Sequence, residues 1–341
     1  MRTVSEARVR IPQRSSRVEP VFLSLEIHVN FWLLCTIPLG LFLPSSPPLE
    51  LRDGDRVVLL GNAFFERELP TSYIETLLTA RHPERNLKFR NLGWSGDNVW
   101  GHSRTLFDPL ERGLARIEEQ VKELRATVVL LAYGMNESFD GPAALPRFIE
   151  GLGCLADRIA ALGARVAIIS PIRHEDMGRP LPDPKPHNDS LTRYVEAMSQ
   201  LAGKRRLPFV NLFKIEPRPG QRLTRNGIQP TAEGYRVYAE EIARQFGHGL
   251  EQSVLGTRSG EALRRAIVEK NQLFFHSWRP QNETYILGFR KHEQGQNAVE
   301  ISRIDPLIEA REKEIETLRS ALTSVPPIPH PKSDPPAEVK P

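Results

Sequence analysis

From Asp55 onward the chain alternates short, nearly unbroken apolar runs with longer stretches in which apolar residues recur every three or four positions. The runs at residues 56–60 (RVVLL), 87–92 (LKFRNL), 127–132 (TVVLLA), 165–170 (RVAIIS) and 208–212 (PFVNL) read as five short strands. Three of them are almost wholly Val, Ile and Leu, the pattern of parallel strands covered on both faces. Amphipathic patterns at residues 71–80, 107–123, 143–162 and 190–202 predict helices between and after the strands, and 231–245 predicts a final one. Strict alternation of strand and helix predicts a three-layer α/β/α sandwich around a five-stranded parallel sheet, with right-handed crossovers.

After Phe246 the pattern changes. Residues 260–275 predict a helix capped by Ser259, running into a dense polar and aromatic segment from Phe274 to Asn297. Residues 305–322 predict an amphipathic helix with Leu307, Ile308, Ile315, Leu318 and Leu322 on one side. From Val325 the chain is Pro-rich and reads as a disordered tail. The expected organisation is a signal peptide and linker over 1–50, an α/β domain over 51–250, a C-terminal helical extension or lid over 251–323, and a tail over 324–341.

Composition adds limits. Of 341 residues, 40% are hydrophobic, enough to bury a full core. Lys and Arg number 46 against 42 Asp and Glu, a formal charge of +4 with the signs interspersed, so nothing points to a nucleic-acid partner. Two cysteines, Cys35 and Cys154, exclude a disulfide framework, and Cys154 reads as a small buried apolar residue in a helix. The uncharged run at 31–43 follows Arg2, Arg8, Arg10, Arg14 and Arg17 and contains Pro38 and Gly40. It is shorter than the roughly 20 residues that span a bilayer, so it reads as a signal-peptide core rather than a membrane anchor. The expectation is a secreted or periplasmic protein with no stable membrane anchor after signal removal.

Three polar islands follow predicted strands: Gly61-Asn62-Ala63, Asn91-Leu92-Gly93-Trp94-Ser95-Gly96-Asp97 and Gly134-Met135-Asn136-Glu137. The carboxyl edge of an open α/β sheet is where ligands bind, so the three should converge on one crevice. A fourth island, Asn226-Gly227-Ile228-Gln229-Pro230-Thr231, opens the last helix of the domain. In order, spacing and context the four resemble the blocks of the SGNH, or GDSL-type, hydrolases, over about residues 55–246. The resemblance implies a flavodoxin-like sandwich, an esterase ancestry acting on ester or acylated-carbohydrate substrates, and no cofactor or metal.

That family's first block carries a nucleophilic Ser and its last an Asp and a His; the matching positions here are Ala63, Asn226 and Gln229. Ala63 has no nucleophilic atom, Gln229 cannot accept a proton near neutral pH, and Asn226 cannot hold an imidazolium. The resemblance also implies three oxyanion donors: the backbone N–H of Ala63, the backbone N–H of Gly96 and the side chain of Asn136. These survive, because a backbone N–H does not depend on the missing side chain. The resemblance therefore implies a preserved hole with a dismantled triad.

Other groups near the same edge are Glu66, Asp97, Glu137, Asp140, His174, Glu175 and Asp176. They read as helix-capping charges rather than metal ligands, since no ligand spacing joins them. His187 reads as a solvated loop histidine, and Trp94, Trp100 and Trp278 as core residues or sugar platforms. The polar C-terminal segment is expected to fold over the crevice, with Arg279, Arg290 or His292 helping to line it. Three functions follow as expectations: an impaired SGNH-fold protein holding a small molecule or carbohydrate, an active esterase or deacetylase using non-standard residues, and a scaffold whose 305–322 helix mediates self-association.

Overall fold

The computed structural model describes residues 46–249, 253–286 and 288–322; the signal-peptide reading and the Pro-rich tail lie outside them. Five parallel strands, β1 (Arg56–Gly61), β2 (Lys88–Gly93), β3 (Val128–Ala132), β4 (Arg165–Ile169) and β5 (Phe209–Val210), form one sheet in the order β2-β1-β3-β4-β5. Side chains alternate across a strand, and here both faces are buried. Val57 and Leu59 enter one core with residues of α1 (Ala63–Glu66), α2 (Tyr73–Arg81) and α6 (Ala232–Gln245). Val58 and Leu60 enter the other with α3 (Gly113–Glu123), α4 (Leu145–Ala161) and α5 (Lys185–Arg205). The three-layer sandwich expected from the sequence is the fold. Gly61 lies opposite both Gly93 and Ala132, so β1, β2 and β3 end level with one another.

Several boundaries differ, each for a local reason. α3 starts at Gly113 rather than 107, because residues 106–112 turn through Leu106 at φ 53° and the extended Pro109. α5 starts at Lys185, since Pro186 at the first turn needs no N–H acceptor. The helix after 253, α7 (Arg258–Trp278), is capped by Thr257, whose hydroxyl accepts from Gly260 N; Ser259 lies inside it. Cys154 is half-buried.

The described part of the C-terminal extension packs against the domain. α7 lies along α2 and the edge strand β2, and α8 (Asp305–Leu322) lies along α7. Ile308 and Ile315 of α8 are buried and Leu318 and Leu322 partly so, while Leu307 is 53% exposed and Arg319 takes a buried place on that side. The apolar side of α8 is therefore covered within the chain. At the centre of the α7 contact, Lys270 Nζ donates to Glu75 Oε1 at 2.7 Å, Glu75 Oε2 at 2.9 Å and Phe89 O at 3.0 Å. Asn271 Nδ2 reaches Glu75 Oε2 at 2.9 Å and Ser72 Oγ at 3.0 Å. An edge strand left bare is a template for unwanted pairing, and α7 covers this one.

The stretch expected to be linker is also tied down from Ser46. Ser46 Oγ accepts from Phe209 N at 2.6 Å, Leu49 N donates to Phe246 O at 3.1 Å, and Leu49 and Leu51 are buried. Among the described residues no helix is long and apolar enough to cross a membrane.

Candidate functional site

Strand order reverses between β1 and β3, and a crevice opens there at the carboxyl ends. It is a cavity of about 70 Å³ lined by Asn62, Ala63 and Arg67 from the β1 side, Tyr133 and Met135 from the β3 side, Ser170 and Ile172 after β4, and Ile228 and Gln229 from the fourth island. The fold thus brings Ala63 and Gln229 onto one pocket although 166 positions separate them in the chain (229 − 63). Among the described residues Arg67 is the one charged side chain in its lining. Gly96, Asn136 and Asn226 do not line this cavity.

The first two islands interlock through close backbone approach. A Cβ on Gly93 would lie 2.2 Å from Glu66 N, so α1 can sit against the end of β2 only because position 93 is glycine. Glu66, the last residue of α1, accepts from Ser95 N and from Arg279 Nη1 at 3.1 Å. Arg279 in turn lies 3.9 Å from the Trp94 ring centroid. Gly96 follows at φ 81°, a conformation costly for any residue with a Cβ. The N–H groups of Ala63 and Gly96 meet no acceptor among the described residues.

Asn136 Nδ2 donates to Asp97 O at 2.7 Å, tying the third island to the second. Glu137 does the same more firmly: Oε1 accepts from Val99 N at 2.9 Å and Oε2 from Gly134 N at 2.8 Å. Burial pushes its carboxyl up to about 7 against the pull of those N–H donors. Beneath the turn, Asp97 Oδ2 receives Arg104 Nε at 2.6 Å and Tyr133 OH at 2.9 Å, with Arg104 and Asp97 wholly enclosed. Burial raises the Tyr133 phenol well above its ordinary range. Glu175 braces the fourth island, accepting from Leu223 N at 2.9 Å and Thr224 N at 2.8 Å. Asn226 Oδ1 accepts from Gln229 N at 2.9 Å and Ile228 N at 3.3 Å, closing an Asx turn.

Glu66, Glu137 and Glu175 are thus backbone braces, a different role from the helix capping expected. Among the described residues no group of three or more His, Cys, Asp or Glu is placed to hold a metal ion. Removing one brace has a defined cost. Glu137→Ala would leave two buried N–H groups without acceptors, so it is expected to lower stability by about 2–3 kcal/mol in urea unfolding. Hydrogen exchange at Val99 and Gly134 should accelerate together, and unchanged protection there would refute the bracing role.

His187 lies on α5, not in a solvated loop: its ring stacks on Phe139 at 4.2 Å and on His174 at 4.5 Å. Burial, with the His187 ring adding to it, pushes His174 down to about 4, and burial also lowers His187. Ser138 Oγ sits 3.1 Å from His187 Nε2, the spacing of a nucleophile and base. But that hydroxyl is buried and gives its hydrogen to Met135 O at 2.6 Å, so toward His187 it serves as acceptor rather than donor. Trp94 is buried, with the half-buried Trp278 packed edge-on against it at 5.6 Å, so Trp94 offers little open face. Of the extension's candidates, Arg279 pairs with Glu66 at the end of α1, Arg290 and His292 lie against Glu293, and none of the three lines the cavity.

Sequence reading missed Arg104, Tyr133, Ser170 and Arg67. Arg104 ends a three-residue 3-10 turn, His102–Arg104, too short for any periodic pattern to announce its burial. Lys270 did leave a signal, a lone cation on the same helix face as Leu263, Ile267 and Phe274.

Comparison with known proteins bears on this site. The model of the GDSL-like lipase/acylhydrolase family matches residues 61–237, which contain all four islands. Among solved structures, a gut microbial diltiazem-metabolizing enzyme is 13% identical, covering 82% of this chain and 96% of its own, with a TM-score of 0.51. An acetylxylan esterase from Geobacillus stearothermophilus is 17% identical over 60% of this chain and 100% of its own, TM-score 0.46. An α/β hydrolase from the metagenome of Lake Arreo, Spain, is 19% identical over 58% and 97%, TM-score 0.46. A search of curated protein sequences returns no match.

Proposed function

This chain belongs to the GDSL-like lipase/acylhydrolase family, and within it we propose a member that binds an acyl or carboxylate group in the crevice without Ser-His-Asp hydrolysis. One observation carries this reading: the pocket at the strand switch is lined by Ala63 and Gln229, with no histidine and no free hydroxyl beside them among the described residues. Its two hydroxyls are engaged elsewhere. Ser170 Oγ donates to Pro171 O at 3.0 Å and accepts from Leu212 N at 2.9 Å; Tyr133 OH donates to Asp97. What the crevice offers a ligand is the unpaired backbone N–H of Ala63 and the Arg67 cation, a set that suits a carbonyl or carboxylate oxygen. The export suggested by residues 31–43 belongs to the same proposal.

Two measurements test it. Acetate should shift the amide resonance of Ala63 saturably. A fluorophosphonate should leave the protein unlabelled, and hydrolysis of p-nitrophenyl acetate should not exceed the roughly thousandfold to ten-thousandfold over water that an oxyanion hole and binding supply without a triad. Stoichiometric labelling at any serine would overturn the proposal in favour of an esterase using non-standard residues.

A further inference from the structure

We propose that the groove between α3 and the C-terminal extension is a second binding site, built for an organic ammonium ligand. The groove encloses about 620 Å³, within the usual range for small-molecule sites. Trp94 and Trp278 form part of its lining, and Phe107 and Phe289 face one another across the junction of domain and extension, edge to face at 5.1 Å. A pair that only closed this junction would be buried; instead Phe107 is 68% and Phe289 69% exposed. Next to them Leu106, half exposed, holds φ 53°, a left-handed conformation that a branched side chain adopts only when its surroundings impose it.

The polar lining selects the ligand's charge. Asp108, Glu119, Glu123 and Glu283 line the groove against Arg104 and Arg116. Arg104 is already neutralised by buried Asp97, and its donors go to Asp97, Gln120 and Leu92 O. Arg116 is shared between Asp108 at 2.6 Å and Glu119 at 3.1 Å. Glu123 and Glu283 have no cation within ion-pairing distance among the described residues. A visitor therefore meets carboxylate acceptors and aromatic rings but few free N–H donors. A neutral sugar needs donors and acceptors in similar number, and an anion is repelled. An ammonium group with an apolar skirt uses both features, the charge against carboxylates and the skirt against the rings. Burial raises the Glu283 carboxyl against the pull of Arg279 and Arg116, cations that are themselves paired with Glu66 and with Asp108 and Glu119.

The test is calorimetric titration of the full chain with benzyltrimethylammonium, with its uncharged isostere neopentylbenzene, and with cellotetraose. Saturable binding of the cation is expected, at least about threefold tighter than the isostere. It should weaken between 0.1 M and 1 M salt, as the screening length falls from about 10 Å to about 3 Å. Phe289→Ala and Glu283→Gln should each weaken it by about threefold or more, while Glu111→Gln, exposed and outside the groove, should not. Circular dichroism on each variant separates lost binding from lost folding, and Phe107→Ala repeats the test from the domain side. Equal binding of cation and isostere, cellotetraose binding lost in the same variants, or no saturable binding by any probe would each overturn the assignment.

Discussion

Ala63→Ser, Asn226→Asp and Gln229→His introduced together are expected to raise p-nitrophenyl acetate hydrolysis by at least about a hundredfold, and to make position 63 label with fluorophosphonate. Triad members act as a unit worth about a millionfold when intact, and a partial set recovers little of it. Ala63→Ser alone should therefore gain almost nothing, because the amide of Gln229 cannot take the hydroxyl proton. The scaffold is in place for the complete set. Positions 63 and 229 line one pocket, and Asn226 Oδ1 already accepts from Gln229 N at 2.9 Å. An aspartate at 226 keeps that acceptor and adds the charge that an imidazolium requires. Mass spectrometry of the labelled protein and kcat/KM report the result. A folded triple variant that labels no faster than the native chain would show that these positions are not the family's triad.

Lys270→Met is expected to destabilise the protein by about 3–5 kcal/mol, because it leaves Glu75 buried without its counter-charge. Burial already raises the Glu75 carboxyl, and the Lys270 ammonium beside it is the main influence pulling it back. With the lysine gone, a proton on Glu75 relieves the orphaned charge. The folded form then holds that proton more tightly than the unfolded chain, so the variant's deficit should shrink as pH falls and grow as pH rises through the folded-state value. Glu75→Gln with Lys270→Met should recover most of the loss, since Asn271 Nδ2 retains an oxygen to donate to. Urea unfolding at two pH values measures all three. A single-variant cost below about 1 kcal/mol, the level of an exposed pair, would mean that the extension is only an appendage.

Much of the fold was legible because two simple regularities carry it. Runs such as TVVLLA and RVAIIS announce strands buried on both faces, and a helical pattern between strands dictates parallel pairing. The islands at Gly61, Gly96 and Gly134 follow strands, so their place at the carboxyl edge came from topology alone, although the second island does not line the cavity. Helix starts were less legible. Whether Ser259 or Thr257 caps α7 depends on which hydroxyl reaches Gly260 N, a matter of one turn of backbone. The braces were nearly invisible: Glu137, Asp97 and Glu175 look like any acidic residue near a helix start, and only their partners, Val99 and Gly134, Arg104 and Tyr133, Leu223 and Thr224, give them a role.

The sequence by itself determined the layers, the strand set and the chemistry that positions 63, 226 and 229 lack, because these rest on periodicity and on the atoms each side chain carries. Tertiary structure decided which groups meet. It placed Ala63 and Gln229 on one cavity, made carboxylates into acceptors for backbone N–H groups, stacked His187 between Phe139 and His174, and turned the C-terminal extension into a cover for β2 fastened by Lys270. Those outcomes depend on distances between residues remote in sequence, and no local pattern along the chain encodes such distances.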